Sequence, residues 1–367
     1  MINSNLPSLT IGDITSRLPI IQGGMGVGVS LSGLATAVAN AGGIGVIAAA
    51  AIGMNEPDFN KDFKEANKRA LIKEIRKAKA MSKGIIGVNI MLAHTDYAEL
   101  VEVALAEHAD IIFLGAGLLL HNPIKLEFQS IEKHHTKIVP IVSSARAAKI
   151  IFQSWAKNSN LLPDAIVVEG PKAGGHLGFK KDQIFNPDYQ LEKIVVEVLE
   201  EIHVFEKQFN KSIPVIAAGG IFTGDDIFKF MKLGVQGVQM ATRFVTTYEC
   251  DAADAFKQSY LNCKKEDITI IDSPVGMPGR AIQNDFLKDV ALGEQKPFNC
   301  SWKCLASCDY KKAPYCIANA LVSAFKGNLM DGFTFAGANA YLTDKIVSVK
   351  TVISNLIAEY KLAAQIG

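Results

Sequence analysis

The chain has 367 residues, with 38 Lys and Arg against 37 Asp and Glu for a formal charge of +1; 49% of it is hydrophobic and 20% charged. These values exclude a disordered polymer and argue against a nucleic-acid binder, which needs a basic excess gathered into a stripe. The longest apolar stretches, residues 42–54 and 109–120, are broken by glycines and fall short of the roughly 18 residues a spanning helix needs.

The N-terminus has no basic region followed by an apolar core and a small-residue cleavage site, so no export signal is expected. The expectation is a cytoplasmic enzyme with a small-molecule substrate and no nucleic-acid or membrane partner. Six cysteines in a chain of this size do not suggest a disulfide scaffold.

In chain order, short apolar runs predict strands at 19–22 and 44–48, and a helix over 58–82 follows. Strand 85–89, helix 96–108 and strand 111–114 come next, then strand 137–143, helix 145–155 and strand 165–169. Helix 190–205, strand 214–218, helix 225–233 and strand 238–241 complete the series. Each of the eight strands is a continuous apolar run, the pattern of strands buried on both faces of a parallel sheet. Eight strands alternating with crossover helices predict an α/β (β/α)8 TIM barrel, with an open doubly wound sheet as the structural rival. Residues 1–298 form the expected barrel domain. Residues 299–367, with helices predicted over 318–326 and 345–362, form a C-terminal helical appendage packed on the barrel or on a second subunit, so that a homodimer is one arrangement. The nine Lys and Arg of 61–83, set against Asp62, Glu65 and Glu74, read as a solvated outer helix face.

Working residues of such a barrel sit just after the C-terminal ends of its strands. Glycines crowd there: Gly23-Gly24-Met25-Gly26, Gly115-Ala116-Gly117, Gly170-Pro171-Lys172-Ala173-Gly174-Gly175-His176 and Gly219-Gly220. Bare backbone lets a large planar ligand lie close. The last two units carry Gly219, Gly220, Ala241 and Thr242, small residues suited to a phosphate site after strands seven and eight, with Thr223 or Asp225 capping the helix that follows strand seven. The alternative is that these glycines only form tight turns. His176 follows strand six behind two glycines and is the candidate catalytic residue, since an imidazole titrates near neutrality; a structural histidine is the alternative. The other six histidines, at 94, 108, 121, 134, 135 and 203, have no such setting.

Pro19-Ile-Ile-Gln-Gly-Gly-Met-Gly26, Gly87-Val-Asn-Ile-Met91, Ala173-Gly-Gly-His-Leu-Gly178, Ala217-Ala-Gly-Gly-Ile221 and Gly237-Val-Gln-Met-Ala-Thr-Arg-Phe244 together resemble the nitronate monooxygenase family, formerly called 2-nitropropane dioxygenases. The flavin-dependent enoyl-acyl-carrier-protein reductases are its close relatives. The resemblance spans roughly residues 6–290 and implies a flavoprotein that binds FMN. Gly24 and Met25 would lie against the isoalloxazine, Asn89 would hydrogen-bond the ring or substrate, and Gly175 would approach its edge. Ala218, Gly219, Gly220, Gln239, Ala241 and Thr242 would hold the ribityl phosphate, and His176 matches the family's histidine beside the flavin. The implied reaction is oxidation of alkyl nitronates, the histidine removing the α-proton of a neutral nitroalkane or holding the nitro group. The alternative is an oxidoreductase that takes NAD(P)H as co-substrate and reduces enoyl thioesters or quinones, the histidine assisting protonation or orienting the thioester carbonyl. A barrel that carries FMN or a phosphosugar without turnover is a third option, of a different class.

Beyond the barrel, Cys300, Cys304, Cys308 and Cys316 stand at a C-x3-C-x3-C-x7-C spacing. Four thiols so close suggest thiolate ligation of zinc or an iron–sulfur cluster. The spacing fits neither the C-x2-C zinc patterns nor the common ferredoxin run. On a helix the first three would share one face as a buried small-residue stripe, so no metal site is assigned.

Overall fold

The computed structural model describes residues 6–118, 135–300 and 302–366. His121, His134 and the last two residues of the 109–120 stretch lie outside the described residues. The strands in chain order are β1 (Leu9–Ile11), β2 (Ile14–Ser16), β3 (Ile20–Gln22), β4 (Ile44–Ala48), β5 (Ile85–Met91), β6 (Ile111–Gly115), β7 (Lys137–Val142), β8 (Ile166–Glu169), β9 (Gly175–His176), β10 (Val215–Ala218), β11 (Gly237–Met240), β12 (Ile268–Asp272) and β13 (Pro278–Ile282). Strands β3 to β8, β10 and β11 form a closed parallel barrel. The closing pair, β11 on β3 with Val238 opposite Ile20, removes the open-sheet rival. All eight predicted strands are present, within two residues of their expected ends.

Alternation along each strand sorts the core into two layers. Ile21, Ile44, Val46, Phe113, Val139, Val167 and Ile216 pack inside the barrel, joined at its base by Leu9 and Ile11 of the β1–β2 hairpin. Ile20, Ile47, Ile86, Val88, Ile112, Ile166 and Val238 face outward into a larger core shared with the helices. Both faces are therefore apolar, which is why the strands read as unbroken hydrophobic runs.

The helices start where local side chains satisfy their free N–H groups. Asp62 caps Phe63–Met81, Ser144 caps Ala145–Ser159, and Thr223 caps Gly224–Lys232 in a reciprocal box with Asp226. The basic 61–83 face is an outer helix surface laced with ion pairs such as Arg76–Glu107 and Lys64–Glu99. One further helix, Ser32–Ala41, follows β3. It eluded the period-based reading because buried residues surround nearly its whole circumference, leaving little amphipathic contrast.

After β11 the chain covers the barrel. Strands β12 and β13 form a hairpin whose second strand pairs with β9, so that Gly279 lies opposite His176. The C-terminal helix Val349–Ile366 packs on Gly224–Lys232 so closely that a Cβ on Gly224 would fall 2.3 Å from the Leu356 carbonyl oxygen. Among the described residues no helix is long and apolar enough to cross a membrane.

Candidate active site

A cavity of about 550 Å3 opens at the C-terminal end of the barrel. Its wall contains all eleven residues singled out above: Gly24, Met25, Asn89, Gly175, His176, Ala218, Gly219, Gly220, Gln239, Ala241 and Thr242. Strand parity explains the convergence. Asn89, Glu169, Ala218 and Gln239 are the last or near-last residues of β5, β8, β10 and β11, and Glu169 continues the inward series of Ala165 and Val167.

One end of the cavity is rich in backbone donors. Gly219 and Gly220 have φ of +92° and +88°, a left-handed conformation that favours glycine. A Cβ at Gly220 would also stand 2.7 Å from the Lys172 Cβ. The four-residue helix Thr242–Val245 begins at Ala241 with no side-chain cap. Among the described residues, the N–H groups of Gly219, Gly220, Ala241 and Thr242 have no protein acceptor. Nearby, the buried Arg243 Nε is likewise without a hydrogen-bond partner, while its guanidinium stacks over Phe222 at 4.7 Å. Free amide donors beside the cavity-lining Lys172 suit a phosphate group.

Elsewhere in the cavity wall, His176 Nε2 shares a 2.7 Å hydrogen bond with Ser273 Oγ, and the Phe335 ring meets the imidazole edge-on at 5.0 Å. Burial lowers the His176 pKa to about 4. The expected titration near neutrality is therefore corrected: desolvation disfavours the imidazolium, and the ring is neutral at pH 7. Its loop is held from below by Arg280 of β13, whose Nη1 donates to the Pro171 and Ala173 carbonyls at 2.5 and 2.7 Å. Arg280 is itself buried, and desolvation lowers its pKa to about 10.

Glu169 is the main group that motif reading passed over. It lines the cavity at the end of β8, its carboxyl group has no hydrogen bond or ion pair among the described residues, and it is pushed up to about 7 by desolvation. The available signal was parity: an acidic residue in phase with the inward Ala165 and Val167. His94, set aside with the other histidines, also lines the cavity; it is buried with Nδ1 3.8 Å from Asp96 Oδ1, and burial lowers its pKa.

The roof comes from the C-terminal region. Asn339 Nδ2 donates to the Gly220 carbonyl at 2.7 Å, the Gly337 N–H to Thr242 Oγ1 at 3.1 Å, and the Ala338 N–H to the Lys172 carbonyl at 3.0 Å. Trp302, Cys304, Leu305 and Phe335 complete it. Sequence periodicity carried no trace of these contacts, because the segments concerned are irregular.

A family model described as "Nitronate monooxygenase" matches residues 8–112 and 64–359. The chain is 26% identical over 277 residues to (3aS,4S,5R,7aS)-5-hydroxy-7a-methyl-1-oxo-octahydro-1H-indene-4-carboxyl-CoA dehydrogenase of Mycobacterium tuberculosis. That match takes in 76% of this chain and 66% of the relative, so the chain spans just under two thirds of its length. It is 29% identical over 302 residues to a probable nitronate monooxygenase of Staphylococcus haemolyticus, covering 74% of this chain and 77% of the other. Among solved structures, FabK from Thermotoga maritima superposes with a TM-score of 0.72 at 26% identity, covering 95% of this chain and 94% of that one. With a family match that spans the barrel and the roof, the chain belongs to the nitronate monooxygenase family, a family of oxidoreductases.

Proposed function

We propose that the protein is an FMN-dependent oxidoreductase acting on alkyl nitronates, with His176 as its catalytic residue. Gly24, Met25, Asn89, Gly175, Ala218, Gly219, Gly220, Gln239, Ala241 and Thr242 would hold the cofactor. The residues fit the group: the unpaired amide donors of the two phosphate-type loops match a phosphate, and Gly175, where a Cβ would meet only the Phe335 ring at 4.0 Å, keeps that part of the wall bare for a flat ring. When bound, FMN would supply the electron-transfer chemistry, for which protein side chains have no equivalent.

The observation that carries the substrate reading is the 2.7 Å hydrogen bond between His176 Nε2 and Ser273 Oγ in the cavity wall, which leaves the other ring nitrogen free for a ligand. A nitronate is already deprotonated, so it needs hydrogen-bond donors at its oxygens more than a strong base. When Ser273 donates to Nε2, the proton resides on Nδ1, which has no protein partner among the described residues and can donate to a bound oxygen. Nitronate-dependent oxygen uptake by the flavin-loaded protein tests this. Uptake is expected in wild type and reduced in His176→Ala with flavin retained; equal uptake by the variant would remove His176 from the reaction.

Glu169 favours a second reading, reduction of enoyl thioesters or quinones with NAD(P)H as co-substrate. A carboxyl group that keeps its proton up to about pH 7 can donate it to a carbanion formed on substrate. The likeness to a carboxyl-CoA dehydrogenase is in keeping with this. Six free thiols accord with a cytoplasmic site of action. Residues 299–367 would act as the appendage that roofs the cavity, alone or in a homodimer.

A further inference from the structure

The segment carrying Cys300, Cys304, Cys308 and Cys316 is not a helix. It runs as turns and loop until Cys316, which is the N-cap of helix Ile317–Phe325. The small-residue stripe that a helix would have made is thereby ruled out, and the spacing of the four thiols needs another explanation. All four are free and half-buried.

The loop is drawn into a compact knot. The Lys296 N–H donates to the Pro314 carbonyl at 2.7 Å, bringing its two ends together. Its middle is fastened to the loop after β5: the Thr95 N–H donates to the Cys304 carbonyl at 3.1 Å, the Ala306 N–H to the Ala93 carbonyl at 3.0 Å, and Thr95 Oγ1 to the Lys303 carbonyl at 2.9 Å. Within the knot every thiol lies in electrostatic reach of the other three. The backbone N–H groups of Ala318 and Asn319 point at the Cys316 sulfur.

Among the described residues, no three of these side chains converge on a point where one ion could sit. A zinc ion with Zn–S bonds of ~2.3 Å would gather four sulfurs to roughly 3.8 Å from one another. A four-iron, four-sulfide cube gives each thiolate its own iron at a separate corner, so its sulfurs surround a larger volume and stand further apart. The loop also carries Lys303, Lys311 and Lys312 against Asp309, a positive excess suited to the dianion that such a cube forms with four thiolates. Bound to such a cluster the four sulfurs are thiolates, because a metal deprotonates the thiol it binds.

We propose that Cys300, Cys304, Cys308 and Cys316 ligate a four-iron, four-sulfide cluster seated in the cavity wall. Trp302, Cys304 and Leu305 line the cavity, so the cluster sits between that wall and the loop after β5. The inference is independent of the flavin and of the reaction proposed above.

The test is metal and sulfide analysis of the full chain, purified without oxygen and reconstituted with iron and sulfide. About four iron and four sulfide per chain are expected, with broad visible absorption that dithionite bleaches and a low-temperature electron paramagnetic resonance signal that appears on reduction. Cys308→Ser is expected to lose most of the iron, whereas Cys263→Ser, outside the knot, keeps it. The wild-type stoichiometry is decisive without any variant. One zinc per chain without sulfide, no metal after reconstitution, or undiminished iron in folded Cys304→Ser and Cys308→Ser variants would each overturn the proposal.

Discussion

At the floor of the cavity, Asn89, Glu169 and Gln239 project from strands flanked on both sides by parallel neighbours. The roof segment over the phosphate-type loops instead hangs on separate bonds, from Gly337, Ala338 and Asn339 down to Thr242, Lys172 and Gly220. A floor residue is held in place by the whole ladder, so replacing its side chain changes chemistry and little else. A roof residue holds its own segment in place, and its loss loosens the enclosure. The comparison therefore predicts large, chemically specific effects from the floor and the His176 strand, and small effects on ligand retention from the roof.

The largest expected effect is that of His176→Ala, a loss of about 10²–10³ in turnover of alkyl nitronates as a hydrogen-bond donor to the substrate oxygen is removed, with flavin still bound as read by its visible spectrum. Near-normal turnover would mean that the imidazole only fills space beside Phe335. Gly220→Ala comes next. It puts a Cβ into a left-handed position against Lys172, a strain of about 1–3 kcal/mol that should weaken FMN binding by roughly 10–100-fold in a fluorescence titration. Unchanged affinity would break the link between the two glycines and the phosphate.

The pH dependence separates the two titrating groups. Glu169 loses its proton as pH rises through about 7, so any step that needs its carboxyl hydrogen falls off above that value. His176 is neutral from about 4 upward and cannot produce that limb. Glu169→Gln should abolish the fall near pH 7 in kcat/KM while leaving any acid limb near 4 in place; a limb that survives the substitution belongs to another group. The smallest effect is that of Asn339→Ala, which removes one hydrogen bond to the Gly220 carbonyl. At about 1 kcal/mol it should raise the FMN dissociation constant roughly fivefold, and no change would show that the roof does not support the phosphate end.

The same contrast governs what could be read from the sequence. The barrel was legible because both faces of each strand are buried, which writes Ile44–Ala48 or Ile111–Gly115 as unbroken apolar runs. The glycine loops were legible because left-handed turns at Gly219 and Gly220 leave few other choices of residue. Glu169 was hidden by the short β8 strand, where parity rests on only two inward neighbours, Ala165 and Val167. The neutral state of His176 was hidden as well, since it depends on burial by Ser273, Phe335 and the β12–β13 hairpin, residues about a hundred or more positions away. Nothing local in the chain announces that Asn339 will meet Gly220, or that the cysteine loop will knot against Thr95.

The most direct measurement is anaerobic rapid mixing of the flavin-loaded protein, with an alkyl nitronate in one experiment and NADH or NADPH in another, following the visible flavin band. The account predicts that the nitronate bleaches the band and the nicotinamides leave it unchanged. Rapid bleaching by a reduced nicotinamide, with the nitronate inert, would contradict it and transfer the site to reduction of enoyl thioesters or quinones.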